Sequence, residues 1–252
     1  MKTNNKYPLL FGLWCMLLAP TLWGQIHYGA ITYEITINLN KRFPSINQQN
    51  THGFGNTRGQ NRASNTQYLV ENATLYFNDS VSIFITHPPE SMRDLNRTFL
   101  TSTQINLNDK MLQTHINLFG EEFTIHDSLP QRIWKFTSRE RLIAGKMAKQ
   151  AITQVNDSTT IYAWFDPDFF YSIGPESYSG LPGAILGLAY EDGSITYFAQ
   201  KIDTNYPEMQ GQFLNLATRN VMTRKHFITT FNEKYNAAHR YYQLIKDMLV
   251  FF

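Results

Sequence analysis

Six side chains able to do chemistry fall within one short stretch: Trp164, Asp166, Asp168, Tyr171, Glu176 and Tyr178. Asp166 and Asp168 with Glu176 nearby would suit a hard cation such as Ca²⁺, or an acid/base pair. The plainer reading is that Asp166, standing before Pro167, opens a turn and the other two carboxylates are solvated. An Asp-x-Asp pair without the remaining ligands of a calcium loop is a weak motif. Trp164, Tyr162, Tyr171 and Tyr178 surround the same loop, where exposed rings would stack on a sugar or a peptide side chain. Packing of Trp164 in a core and anchoring of the loop by Tyr178 is the competing reading.

Other chemistries lack their residues. There is no Gly-x-Ser-x-Gly elbow and no phosphate-binding glycine loop. Ser177 and Ser179 flank Tyr178, but nothing designates a base for them. His115 and His126 could meet across a hairpin. His226 and His239 match neither helical spacing, and His27, His52 and His87 stand alone. No histidine pair has the local spacing of a zinc site. The sequence names no catalytic residue, no metal ligand and no cofactor.

The chain opens on Lys2 and Lys6, then the apolar run Leu9 to Ala19, then Gly24 before Gln25. The run is too short to span a bilayer and has the layout of a secretory signal peptide over residues 1–24. The alternative is an uncleaved anchor. Cys15, the only cysteine, lies inside this leader, so the mature chain has no disulfide or thiol chemistry. The whole chain carries net charge +2. Removal of the leader takes away both lysines and no acid, which leaves a near-neutral chain poorly suited to nucleic acid. No later stretch is apolar enough for a membrane helix.

The elements that must position the loop read as strands. Ile31, Tyr33, Ile35, Ile37 and Leu39 alternate with polar residues. Residues 40–66 are rich in Asn, Gln, Gly and Ser, and read as a mobile loop or, with Lys41, Arg42, Arg58 and Arg62, as a loop for an anionic surface. Strands follow at Tyr68–Phe77, Val81–Thr86, Thr98–Leu107, Met111–Phe119, Glu122–His126, Ile133–Thr137, Met147–Val155 and Thr159–Phe165. Tight turns between them indicate antiparallel pairing. Leu181-Pro182-Gly183-Ala184 reads as a type II turn, because proline presets its own φ and glycine accepts a positive one. The strand from Ala184 to Tyr190 leaves that turn, and Asp192-Gly193 folds it back. This register sets Leu188 opposite Tyr197, Leu186 opposite Ala199, and Gly187 opposite Phe198, whose ring would cover the missing side chain.

Phe227, Phe231, Ala238, Tyr242, Ile245 and Leu249 recur at helical spacing. Thr223 is the expected N-cap of one amphipathic helix over 224–249. The terminal Phe251-Phe252 raises an outer-membrane barrel, which the helical period before it argues against. Asp79-Ser80, Asp127-Ser128 and Asp157-Ser158 each fit an envelope O-glycosylation acceptor pattern, or are ordinary turn dipeptides.

The block Gly180-Leu181-Pro182-Gly183-Ala184-Ile185 resembles the signature of the GLPGLI family of exported Bacteroidetes proteins, with Ala184 at a position that is usually leucine. Tyr162-Ala163-Trp164-Phe165-Asp166-Pro167-Asp168, then Gly174-Pro175, fit upstream blocks in order, as do Trp134, Ile143-Ala144-Gly145 and Ala151. The resemblance is specific over roughly residues 130–203. Ala148 sits near the place where the family often carries a cysteine, so any cysteine-based role is missing here. The resemblance implies a periplasmic or outer-membrane-associated protein of unestablished activity.

The expected architecture is a mainly β (α+β) domain over residues 25–252. It would be a curved antiparallel sheet or half-barrel, with a C-terminal amphipathic helix on one face. The expected function is non-enzymatic binding of an envelope protein or an amphiphilic ligand through loop 166–183. Its structural motif is Gly174, Pro175, Gly180, Leu181, Pro182 and Gly183. The alternatives are a hydrolase using Asp166 or Glu176, and a structural subunit of an outer-membrane assembly.

Overall fold

The computed structural model describes residues 28–42, 68–87, 100–118, 121–156, 159–206 and 220–234. The expected leader, most of the 40–66 loop, the turn residues 119–120 and 157–158, and the helix beyond residue 234 lie outside the described residues. Among the described residues the strands are β1 (Gly29–Asn38), β2 (Tyr68–Phe77), β3 (Val81–His87), β4 (Leu100–Asn106), β5 (Met111–Leu118) and β6 (Glu121–Ser128). They continue with β7 (Lys135–Ile143), β8 (Lys146–Asn156), β9 (Thr159–Asp166), β10 (Ala184–Tyr190), β11 (Ile195–Asp203) and β12 (Val221–Met222). The helices are α1 (Leu39–Arg42) and α2 (Arg224–Lys234).

All twelve strands join one open sheet in the order β12-β6-β5-β4-β3-β2-β1-β11-β10-β9-β8-β7. Every pairing is antiparallel except β12 with β6. The two-residue period decides which side chains go in. On β1, Ile31, Tyr33 and Ile35 are buried while Glu34 faces solvent, as alternation requires.

The sheet cannot be flat. β6 and β7 lie ten strand positions apart, roughly 48 Å in a flat sheet. Yet Leu129–Trp134 is all that joins them, and that thread reaches at most about 24 Å. The sheet must therefore curl until its ends approach. The aromatic packing agrees. Phe84 of β3 reaches Tyr197 of β11, three strands away, with ring centroids 6.3 Å apart. The concave face carries Tyr33, Ile35, Leu75, Leu188, Tyr190, Tyr197 and Ala199, all buried.

Several local expectations hold. Asn78 Oδ1 accepts from the N–H groups of Ser80 and Val81 and closes the β2–β3 turn. Gly187 pairs with Phe198, and Leu188 with Tyr197. A Cβ on Gly187 would sit 2.9 Å from both Phe198 and Ile143. The Thr223 hydroxyl caps α2 by accepting from His226 N–H. The helix buries Phe227 and Phe231, one turn apart, and Phe227 meets Phe123 of β6 edge-to-face at 5.2 Å.

Three local expectations change. The strand expected at Ile133–Thr137 begins later and runs to Ile143. Ala144 and Gly145, at φ 47° and 78°, make the tight turn into β8, the handedness that twisted hairpins favour. Leu39, expected at the end of the first strand, and residues 40–42, expected in the mobile loop, form a helical turn, in which Lys41 Nζ donates to the Asp192 carbonyl at 2.5 Å. The Leu-Pro-Gly corner is not a type II turn. Gly183 N–H bonds the Leu181 carbonyl two residues back at 2.8 Å, so Pro182 centres a γ-turn, which its fixed φ suits.

Candidate functional site

The loop from Pro167 to Gly183 leaves β9, lies over the concave face and returns as β10. Its cover is largely internal. Ile173, Tyr178 and Leu181 are fully buried. Gly174 allows this, since a Cβ there would stand 2.6 Å from the Tyr178 carbonyl. Ile185 N–H bonds the Ile173 carbonyl at 2.8 Å, and Tyr178 N–H bonds that of Pro175 at 2.9 Å. Gly180 N–H reaches Ser172 Oγ. From the β6–β7 thread, Arg132 donates to the Ser177 carbonyl at 2.6 Å and to Ser177 Oγ at 2.8 Å. Its guanidinium lies 4.2 Å from the centre of the Tyr178 ring. Trp134 Nε1 donates to the Ser179 carbonyl. At the other side, Tyr171 donates to Asp79 in the β2–β3 turn, and its ring packs on Phe77.

The expectation of an exposed aromatic rim is corrected by this placement. Tyr178 has no solvent exposure. An apolar concave face must be covered, and the loop's own largest ring covers it. Trp164 lies on the opposite side of the sheet, because alternation on β9 turns Ala163 inward and its neighbour outward. There it packs on Phe198 at 5.8 Å, beneath Arg141 of β7. The two rings therefore never share a surface. The paired aspartates also take the plainer role. Asp166 is 3% exposed and its Oδ1 accepts from Asp168 N–H at 3.0 Å. Lys146 Nζ stands 3.9 Å from its Oδ2. Asp168 faces solvent. Among the described residues no group of three or more His, Cys, Asp or Glu could hold a metal ion. His115 sits opposite Thr124, while His126 sits opposite Gln113.

Glu176 is the predicted site residue that the structure places among other titratable groups. Its backbone is left-handed, φ 52°, a costly conformation for a glutamate. The bend sends its side chain to Tyr197, whose hydroxyl donates to Oε1 at 2.6 Å. The strand registers build the neighbourhood. Glu71, Ile35, Tyr197, Leu188 and Ala163 form one row across the concave face. Glu71 thus enters as a second, mostly buried carboxylate. Burial first, and the charge of Glu176 second, push the Glu71 carboxyl up to about 7. Burial also raises Glu176, against the opposing pull of the Tyr197 hydroxyl, Arg42 and Arg132. Burial lifts Tyr178 to about 12, and Tyr190 and Tyr197 well above the ordinary tyrosine value. These hydroxyls remain protonated donors. Tyr178 and Tyr190 touch through their oxygens at 3.3 Å, and Arg42 lies over the Tyr190 ring.

The result is a half-buried cluster of two carboxyls, both shifted upward by burial, with two guanidinium groups and a floor of tyrosine hydroxyls. It can bind a polar group through donors and acceptors together, or move a proton near neutrality. Asp166 is remote from it, at the Ala184 end of β10, four residues or about 13 Å from Leu188.

Sequence reasoning missed Glu71, Tyr197, Arg132 and Arg42. Glu71 did carry a signal. It breaks the apolar series Ala73, Leu75 and Phe77 on the inward face of β2, and such a break marks a buried polar group that needs a partner. Arg132 carried none, since only the curl brings it over Tyr178.

A family model described as "Protein of unknown function (Porph_ging)" matches residues 124–187. That span holds the β6–β7 thread, hairpin β7–β8, β9 and the whole loop. No curated protein matches the sequence. A solved structure of PNGF-II in a C2 crystal is similar, with a TM-score of 0.53 and 16% identity, covering 81% of this chain and 32% of that one. PNGF-II in a P21 crystal gives 0.52 and 17% over the same shares. The chain spans about a third of the length of the PNGF-II chain, and the likeness is one of fold. Over residues 124–187 the chain is thus similar to a protein family whose function is unknown.

Proposed function

We propose that this chain is an exported, GLPGLI-type envelope protein. It binds an amphiphilic ligand at the mouth of its curled sheet, through loop 166–183, without turning it over. The carrying observation is Glu176: a strained backbone holds its carboxylate against Tyr197, beside Glu71, between Arg42 and Arg132. Backbone strain retained at a polar, half-buried position is a mark of function. The polar mouth would hold the ligand's head, while its apolar part would need the loop's own cover over the buried concave face to give way.

The test is mass spectrometry of small molecules that co-purify with the natively exported protein, for the wild type and for Glu176→Gln and Tyr197→Phe. The expected outcome is one ligand retained by the wild type and depleted at least about fivefold in each variant, the worth of one hydrogen bond to a charged or buried group. Equal ligand recovery from all three, with unchanged thermal melting, rejects the proposal.

One observation favours an enzyme instead. Two mostly buried carboxyls, one raised to about 7, are a layout suited to acid/base hydrolysis. In that case Glu71→Gln and Glu176→Gln would each abolish turnover while ligand capture survives. A pH–rate profile would then show an apparent pKa near 7 that belongs to the pair.

A further inference from the structure

The sheet end farthest from the Glu176 mouth presents a second surface. The registers pair Lys149 with Phe165 and Asp166 with Ala184. The tip of hairpin β7–β8 and the turn after β9 therefore share one end of the sheet. The Lys146–Asp166 contact at 3.9 Å ties them together. Three large apolar side chains stand out from this end. Leu142 and Met147, opposite each other beside the Ala144-Gly145 turn, are 66% and 56% exposed. Phe170 is 99% exposed, although its neighbour Phe169 packs edge-to-face on Phe77 at 5.4 Å. The chain buries one phenylalanine of this pair and displays the other.

Charge is concentrated on the same hairpin. Residues 135–149 hold five cations (Lys135, Arg139, Arg141, Lys146, Lys149) against one carboxylate, Glu140. The rest of the chain holds 17 basic and 19 acidic residues. An apolar tip backed by cations on an otherwise slightly acidic chain fits one kind of surface, in which apolar groups enter an interface and cations meet anionic heads. A second copy is disfavoured, because pairing two β7 edges would oppose like charges.

We propose that the tip of hairpin β7–β8, with Phe170, docks on an anionic lipid surface. Docking there leaves the Glu176 mouth free, so the surface is independent of the ligand-binding proposal.

The experiment is co-sedimentation of the full chain with vesicles of phosphatidylglycerol in phosphatidylcholine, and with vesicles of phosphatidylcholine alone. The wild type is expected to sediment with the anionic vesicles and to be released by high salt. The triple variant Leu142→Asn/Met147→Asn/Phe170→Ser removes the apolar arm. The double variant Arg139→Gln/Lys149→Gln removes charge and spares the Lys146–Asp166 contact. The charge variant should lose roughly 30-fold in partition, the combined effect of two cations at an anionic surface, and the apolar variant should lose at least as much. All substituted positions are exposed, so thermal melting should stay at the wild-type value. Absence of vesicle binding, equal binding to both vesicle types, or equal binding by all variants overturns the proposal. So does a wild-type dimer that becomes monomeric in the triple variant, which would make the patch a contact between copies.

Discussion

At the scale of single residues, Glu71 makes a measurable commitment. Its folded carboxyl is raised to about 7 from an ordinary 4.5, so the folded chain holds a proton there that the unfolded chain has released. Stability from this site is full below about pH 4.5 and is lost as pH rises towards 7. Glu71→Gln should flatten that slope and stabilise the protein by about 2 kcal/mol at pH 8, allowing for partial solvent access. Chemical denaturation of both proteins at pH 5 and pH 8 measures it; parallel curves would refute the coupling. The residue scale is also where the sequence was least legible. The loop between β9 and β10 is legible, and Glu176 lies in it. Spacing shows that the aromatics cluster near the loop but not which side of a sheet each ring takes. Tyr178 went inside for cover and Trp164 outside by alternation.

At the scale of elements, the Leu-Pro-Gly corner is a docking point between strands. Gly183 has φ 146°, and a Cβ there would lie 2.0 Å from the Asp166 carbonyl oxygen. That contact is with backbone and cannot be relieved by a rotamer. Gly183→Ala should cost about 3 kcal/mol or more. Gly145→Ala, at φ 78° with open space around it, should cost only about 1 kcal/mol. Thermal melting of the two variants checks the contrast, and similar losses would count against it. Elements were the most legible level, since period-two alternation and turn dipeptides report directly on half-buried strands. β1, β2, β5 and β10 came through within a residue or two. β8 is equally legible, expected at Met147–Val155 and found at Lys146–Asn156, but β7 is not, because it is exposed almost throughout and shows no apolar alternation.

At the scale of the whole molecule, mainly antiparallel architecture followed from the short turns, and curvature was expected. What holds the curl was not. Arg132 crosses the concave side from the β6–β7 thread and grips both Ser177 and the Tyr178 ring. Arg132→Ala should lower stability by about 3 kcal/mol, from two charged hydrogen bonds and a cation–π contact. It should also speed proteolytic cleavage within residues 167–183. Limited proteolysis followed by mass spectrometry reports both the site and the rate; cleavage no faster than in the wild type would remove Arg132 from this role.

The six residues from Leu129 to Trp134 close an otherwise open wrap, much as a clasp sets the size of a bracelet. Their contour length, not the sheet, then sets how close the two ends of the wrap stand. Lengthening the clasp by a pair of glycines should loosen the wrap without touching any strand, and shortening it should squeeze the wrap until its edge ladders give way.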